Sequence, residues 1–233
     1  MQIFLRVRSE YAEDDTSRYR NTITKHTLIP SLKHQAHKEF TIILTQREDD
    51  KHYAARAKAF GAVGAKNLLV YDDPITTPHI MVDVGDDDFL CPTFLQDVQR
   101  ASRTVQNTQL TFPHGYIFHE KKLKNWRNHP DFVQVNMIVE PGASVAASKE
   151  CDLYPSWIYC RHRMNSIQIP HQEIQGLEIQ GLTWKGWSQT VVSTYCSIAL
   201  KTGTAVGCVP GPQRSNSMVF GEGQRKKRRQ MKF

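Results

Sequence analysis

His79-Ile80-Met81-Val82-Asp83-Val84-Gly85-Asp86-Asp87-Asp88-Phe89-Leu90-Cys91-Pro92 is the stretch on which the rest of the chain turns. Its first half is apolar enough for a buried strand, and it ends in a glycine and three consecutive carboxylates. Pro92 then suits the first turn of a following helix. A strand that stops at such a run aims several hard oxygen ligands at one point, which suits a divalent cation that keeps open positions for phosphate oxygens. The competing reading is a solvated acidic turn. The strand before the run and the helix after it favour a site.

Upstream, strand and helix signals alternate. Gln2 to Val7 predicts a first strand and Phe40 to Leu44 a second, with Leu28, Leu32 and Ala36 at helical spacing between them. Asp49 or Asp50 caps a predicted helix whose Tyr53, Ala57 and Phe60 share a face and whose end is marked by Gly61. Asn67 to Tyr71 follows as a third strand and 79–84 as a fourth, after which Phe94, Val98, Ala101 and Val105 line one face of a helix. This alternation predicts a mostly parallel sheet of the nucleotide-binding kind, with ligands at the carboxyl ends of its strands. The acidic run lies at such an end.

Beyond residue 105 the pattern changes. Gln109 to Phe112, Gly115 to Phe118 and Phe132 to Val139 predict strands with turns but no strong helix between them, so this half is expected to be antiparallel. Residues 171–190, rich in Gln, Gly and Trp, are expected to be loop.

With 233 residues and 39% hydrophobic content the chain can bury a sizeable core. We expect a single domain over 1–220 and a basic, disordered tail over 221–233. Within it residues 225–233 carry Arg225, Lys226, Lys227, Arg228, Arg229 and Lys232 and no acid, six of the seven net positive charges. Basicity is therefore local, and the tail is expected to contact a polyanion, on nucleic acid or on anionic lipid, unless it only aids solubility. No stretch is long and apolar enough to span a membrane, and the first residues are too short and too soon charged for a signal peptide, so a cytoplasmic location is expected. Five cysteines at 91, 151, 160, 196 and 208 show no paired spacing, which predicts reduced thiols. Cys151, Cys160 and His162 could be zinc ligands, although no Cys-x-x-Cys supports that.

Several blocks in order carry a family resemblance: Thr27-Leu28-Ile29-Pro30-Ser31-Leu32-Lys33-His34-Gln35, Phe40 before a strand, Val84-Gly85-Asp86-Asp87-Asp88-Phe89-Leu90, Pro113-His114-Gly115-Tyr116, and Trp157 through Asn165. Together they resemble the GT-A fold glycosyltransferases, and within them the rhamnosyltransferase group, over roughly residues 2–166. The resemblance implies an α/β, GT-A type mixed sheet with a nucleotide-binding N-terminal half and an antiparallel acceptor-side half. It also implies that the acidic run is the Asp-x-Asp motif, which grips Mn²⁺ or Mg²⁺ and through it the diphosphate of a nucleotide sugar. Asp86 and Asp88 would be metal ligands and Asp86 and Asp87 donor contacts, with His162 as a second anchor from the C-terminal half. The group tends to show Arg-x-Asp-x-Asp-Asp, and its Arg and first Asp positions fall here on Asp83 and Gly85.

Glycosyl transfer requires the departing nucleoside diphosphate to carry away negative charge, which a divalent cation neutralises as it develops. If the reaction inverts the anomeric centre, Glu140, Glu150 or Asp152 is the candidate base; a retaining reaction needs none. Arg6 and Arg8 at the end of the first strand and Thr45 at the end of the second lie where this fold recognises the nucleoside. Trp126, Trp157, Trp184 and Trp187 are candidates to stack a sugar or base, against the commoner role of core aromatics. The acceptor is expected to be a surface glycan or lipid-linked sugar, or else DNA carrying a hydroxymethylated base, which would have to be extruded into the pocket. A metal-dependent nuclease or a non-catalytic nucleic-acid-binding module is the third choice. A nuclease would want further acids for a second metal, and only Asp72, Asp73 and Asp83 are near in sequence.

Overall fold

The computed structural model describes residues 1–8, 14–44, 53–63, 67–70, 75–105, 107–127, 133–138, 145, 147–151, 155–160, 171–179, 181–188, 190–195 and 197. It is a mixed α/β structure whose larger sheet begins with four parallel strands. These are β1 (Gln2–Arg8), β2 (Phe40–Leu44), β3 (Asn67–Val70) and β4 (His79–Gly85). The chain runs from β1 outward through β2 to β3, then returns to the other side of β1 as β4, so the order is β3-β2-β1-β4. That reversal makes the carboxyl ends of β1 and β4 a topological switch point, the crevice where open α/β sheets bind ligands.

The connections supply helices. Between β1 and β2 come α1 (Asp14–His26) and α2 (Leu28–Lys33), and between β2 and β3 comes α3 (Tyr53–Gly61). Ile3, Leu5 and Val7 of β1 and Ile80, Val82 and Val84 of β4 point to one face, where they share a core with Leu28, Leu32 and Phe60 from the helices. Phe4, Ile43 and Met81 form a smaller cluster with Ile75. Burial of β strands on both faces explains their near-continuous apolar sequences.

Three further strands complete this sheet: β6 (Thr108–Thr111), β9 (Val133–Ile138) and β10 (Ala147–Glu150). β9 runs antiparallel to both β4 and β6, with Val84 opposite Val133. The smaller sheet has the order β5-β11-β7-β8, made from β5 (Phe89–Leu90), β7 (His114–His119), β8 (Lys122–Arg127) and β11 (Trp157–Cys160). Its β7–β8 hairpin turns through Glu120 and Lys121, both at positive φ.

The expectation of an antiparallel second half therefore holds in part. Pairs β4–β9, β6–β9, β7–β8 and β5–β11 are antiparallel, but β10 runs parallel to β6 and β11 parallel to β7. A parallel partner needs a long crossover, and the strands that pair in this way are some 40 residues apart in sequence, so no local turn signal announces them. Two other corrections follow from local geometry. Phe89 and Leu90 form a short strand that the sequence reading did not anticipate, and α4 (Phe94–Ala101) starts after Thr93, leaving Pro92 outside its first turn. Residues 171–190, expected as loop, contain the short helix α5 (His171–Gln175). Asp49, Asp50 and the tail 221–233 lie outside the described residues.

Gln35 explains one of the sequence blocks in physical terms. Its buried amide donates to the Ser31 and Cys91 carbonyls at 3.3 and 2.7 Å and accepts from the Leu95 backbone N–H at 3.1 Å. One side chain thus ties the end of α2 to the segment that follows the acidic run.

Candidate active site

The acidic run occupies the switch point. β4 ends at Gly85, which lies in register with Arg8 of β1, and the chain turns there through Asp86 and Asp87 before entering β5. All three carboxylates are buried: Asp86 is 0% exposed, Asp87 5% and Asp88 4%. That result overturns the solvated-turn reading, because burying three adjacent acids is costly unless cations or donors meet them.

Gly85 makes the turn possible. A Cβ placed there would sit 2.9 Å from both Asp87 Oδ1 and Asp88 Oδ2, so any larger residue would push on the two carboxylates. These side chains fold back over the glycine backbone into the space that a side chain would fill.

The cation that meets the run comes from α1. Arg20, 7% exposed, donates from Nη1 to Asp87 Oδ2 and from Nη2 to Asp86 Oδ1. Sequence reasoning missed this residue, and the reason is visible in the helix. Arg20, Thr24 and Thr27, at helical spacing, are all buried although polar, so the inward face carries no apolar periodicity beyond Tyr19 and Ile23. A polar stripe at that spacing was the available signal. It acquires meaning only once its acidic partners are known.

Asp88 is placed differently. Its carboxylate accepts a hydrogen bond from the Cys160 backbone N–H at the end of β11, while Oδ1 accepts none among the described residues. Burial and, next, the neighbouring Asp87 carboxylate push its pKa well above the usual carboxylate range; Arg20 opposes this, Asp86 adds to it, and the Cys160 N–H opposes it. An orphaned buried oxygen beside a glycine cradle is the chemistry that a divalent cation would satisfy, and Mn²⁺ or Mg²⁺ fits these residues on that ground. Among the described residues alone, no group of three or more His, Cys, Asp or Glu side chains is arranged to hold a metal.

The remaining candidates separate into three sets. Arg6 is near the site, on β1, but its guanidinium is committed to Asp83 of β4, with Nη2 to Oδ2 at 2.8 Å and Nε to Oδ1. It clamps the two strands at the switch point, beside the place where it is expected to contact the nucleoside. The same pair accounts for Asp83, where the resembling group has Arg. Glu150 is exposed on β10, the edge strand, and two strands and roughly 14 Å of sheet stand between β10 and β4. Thr45, Glu140, Asp152, His162 and Arg225 to Arg229 lie outside the described residues, as does the side chain of Arg8. β11, whose next residues lead to His162, nonetheless ends beside Asp88.

Of the two roles left open for the tryptophans, burial favours core packing for three of them. Trp157, Trp184 and Trp187 are 1%, 4% and 9% exposed, and Trp126 packs edge-on against Trp157 at 6.0 Å. Trp157 Nε1 donates to the Phe112 carbonyl at 2.8 Å and Trp184 Nε1 to the Pro155 carbonyl at 2.8 Å, which satisfies their polar ends inside a core. Among the described residues Cys91, Cys151 and Cys160 form no disulfide; Cys91 and Cys160 are buried and Cys151 partly buried. A pocket of about 340 Å³ lies at the other end of the sheet, lined by Met1, Gln2, His37, Glu39, Phe40, Thr41 and Gln99. It sits at strand amino ends, away from the carboxylates.

No family model and no curated protein matches the chain. Among solved structures it is similar to S. aureus TarS, at 13% identity and a TM-score of 0.36, over 56% of this chain and 23% of that one. It is also similar to a putative glucose-1-phosphate thymidylyltransferase from Bacillus anthracis, at 10% identity and a TM-score of 0.29, over 58% and 71% of the two chains. HddC from Yersinia pseudotuberculosis gives 11% identity and a TM-score of 0.29, over 60% and 75%. The chain thus spans about a quarter of the TarS structure. At these TM-scores the likenesses carry no weight for fold or activity. No helix among the described residues is long and apolar enough to cross a membrane.

Proposed function

We propose that the chain is a metal-dependent glycosyltransferase that moves a sugar from a nucleotide-sugar donor to an acceptor hydroxyl. The observation that carries this reading is the buried acidic turn at the switch point of the sheet, where Asp88 Oδ1 accepts no hydrogen bond among the described residues. The resemblance of the sequence blocks to GT-A glycosyltransferases supports the same reading.

In this scheme Asp86 and Asp88 would hold Mn²⁺ or Mg²⁺, with His162 as the proposed second anchor. The cation, when bound, supplies Lewis-acid neutralisation of the charge that builds on the departing nucleoside diphosphate. The chain's own residues orient and exclude. Arg20 keeps the Asp86 and Asp87 carboxylates fixed, the Arg6–Asp83 pair holds the ends of β1 and β4 together, and the buried turn keeps water from competing with the acceptor hydroxyl. If transfer inverts the anomeric centre, Glu140 or Asp152 remains the proposed base, since Glu150 faces solvent on the far edge. For the acceptor we propose a glycan or lipid-linked sugar, with the basic tail drawing the enzyme to phosphate-bearing surfaces.

A screen of nucleotide sugars by thermal shift and slow hydrolysis, with and without Mn²⁺, tests the reading. One nucleoside diphosphate sugar is expected to raise the melting temperature only when the metal is present, and Asp88→Ala should abolish both shift and hydrolysis. Full activity of the Asp88→Ala protein in EDTA would sink the assignment.

A further inference from the structure

Of the three deeply buried tryptophans, two have satisfied N–H groups. Trp157 donates to the Phe112 carbonyl and Trp184 to that of Pro155, but Trp187 Nε1, in a ring only 9% exposed, donates to no acceptor among the described residues. A buried indole N–H that lacks an acceptor costs stability, and an oxygen brought by a ligand would remove that cost. The surroundings of the ring say where such a ligand would sit. Trp187 stands 5.8 Å from the ring of Phe89, the residue after Asp88, and 5.1 Å from the ring of His34 at the end of α2, with the half-buried Tyr195 at 6.4 Å. His34 supplies the complementary group. Its Nδ1 lies 2.8 Å from the Pro30 carbonyl, which can only accept, so Nδ1 carries a proton and the neutral ring presents the lone pair of Nε2. The His34 side chain is exposed, and exposed rings turn readily, so it is the movable cover of the indole.

An N–H donor and an imidazole acceptor on neighbouring rings match a hydroxyl, which accepts one hydrogen bond and donates another. Aromatic rings around such a pair present apolar surface to the C–H groups of a sugar, whose hydroxyls need the polar partners. We propose that Trp187 and His34 bind a hydroxyl of a sugar acceptor, in a subsite between the end of α2 and the segment that carries Trp187, beside the acidic turn. This deepens the glycosyltransferase reading above, on which it rests, by assigning residues to the acceptor. The Trp187 ring belongs to the core; its N–H is kept for the ligand.

The experiment titrates the full chain with the methyl glycosides of glucose, galactose, mannose and N-acetylglucosamine, followed by tryptophan fluorescence and ligand-observed NMR, in the parent, Trp187→Phe, His34→Ala and Trp184→Phe. At least one glycoside should bind the parent with a Kd below about 100 mM. Trp187→Phe and His34→Ala should each weaken that binding by about tenfold, the effect of leaving one hydroxyl bond unmade. Trp184→Phe should melt lower than Trp187→Phe, because it also strands the Pro155 carbonyl, and yet bind as the parent does. Binding would then run against stability, which packing alone would not produce. If Trp187→Phe does not fold, His34→Ala, changed at an exposed position, decides alone. Unchanged binding in Trp187→Phe or in His34→Ala would overturn the proposal, as would a parent that binds none of the glycosides, or affinities that fall in step with melting temperature across the three variants. The metal reading is judged on the parent separately. A Mn²⁺-dependent thermal shift with a nucleotide sugar, without glycoside binding, would leave that reading standing and remove the acceptor subsite; glycoside binding lost in Trp187→Phe, without such a shift, would remove the metal reading and keep the sugar site.

Discussion

Two glycines, one in each sheet, make room for opposite kinds of side chain. Gly85, at the end of β4, lies under the carboxylates of Asp87 and Asp88, and Gly115, in β7, lies under the indole of Trp157, whose ring atoms would be 2.2 Å from an added Cβ. At Gly115 the neighbour is apolar, its N–H is satisfied by Phe112, and Trp126 packs edge-on against it and in turn against Tyr159. At Gly85 the neighbours are charged, only partly matched, and placed where the sheet opens to a ligand. The same small residue thus serves packing in one sheet and charge in the other. What separates a structural from a functional site here is whether the polar atoms beside the glycine have found their partners.

The comparison can be broken at its structural end first. Gly115→Ala should be the most damaging substitution of the three considered, since the Trp157 ring must leave the core and abandon its bond to Phe112. A loss of about 3 kcal/mol is expected in equilibrium denaturation. Added Mn²⁺ should not change that loss. Survival of the variant at parental stability would mean that Trp157 is not fixed against the β7 backbone.

At the other end, Gly85→Ala should cost about 1–2 kcal/mol, because the carboxylates can swing only as far as Arg20 permits. Its larger effect should be on metal affinity, with Mn²⁺ binding weakened by about tenfold or more, equivalent to about 1.4 kcal/mol. A titration showing unchanged Mn²⁺ affinity in Gly85→Ala would remove the glycine cradle from the site.

Asp88→Asn should be the mildest and should change sign with conditions. In the folded chain burial and Asp87 raise the Asp88 pKa, so the folded state binds more protons than the unfolded one between the ordinary carboxylate value and the raised one. Stability of the metal-free parent therefore falls as pH rises through that window, and the amide, which does not titrate, removes the fall. Without metal, Asp88→Asn should be more stable than the parent at neutral pH, by a margin that shrinks towards about pH 4. With Mn²⁺ the order should reverse. Denaturation curves of both proteins at several pH values, with and without metal, would settle it, and a parent that is the more stable at neutral pH without metal would contradict the burial argument.

Much of the parallel half was legible without coordinates. Phe40 to Leu44 is the observed β2, and the strands at 2–7, 67–71 and 79–84 each match an observed strand to within a residue over the described positions. Period, glycines and apolar runs are local quantities, and buried parallel strands carry them in nearly unbroken form. The face of α4 formed by Phe94 and Val98 was legible for the same reason. The hairpin strand β8 was not, because Lys122 to Arg127 is charged and turns through Glu120-Lys121 with none of the Asn-Gly chemistry that usually announces such a turn.

By itself the sequence determined that three acids follow an apolar strand and that a basic run is confined to the tail, since both are matters of neighbouring residues. It also determined that this strand belongs to the parallel part of the sheet. Only the tertiary structure decided what the acids meet. Arg20 is 66 residues from Asp86 along the chain and Arg6 is 77 from Asp83, separations at which no local pattern specifies a partner. Whether the tryptophans would be core or stacking platform was likewise decided by packing, because an aromatic ring looks the same in sequence whether its N–H ends in a carbonyl or a ligand. Charge and period are written residue by residue; which charges are brought together, and which are left wanting a cation, is a property of strand order, since β4 returns beside β1 and carries its carboxylates to the helix that leaves it.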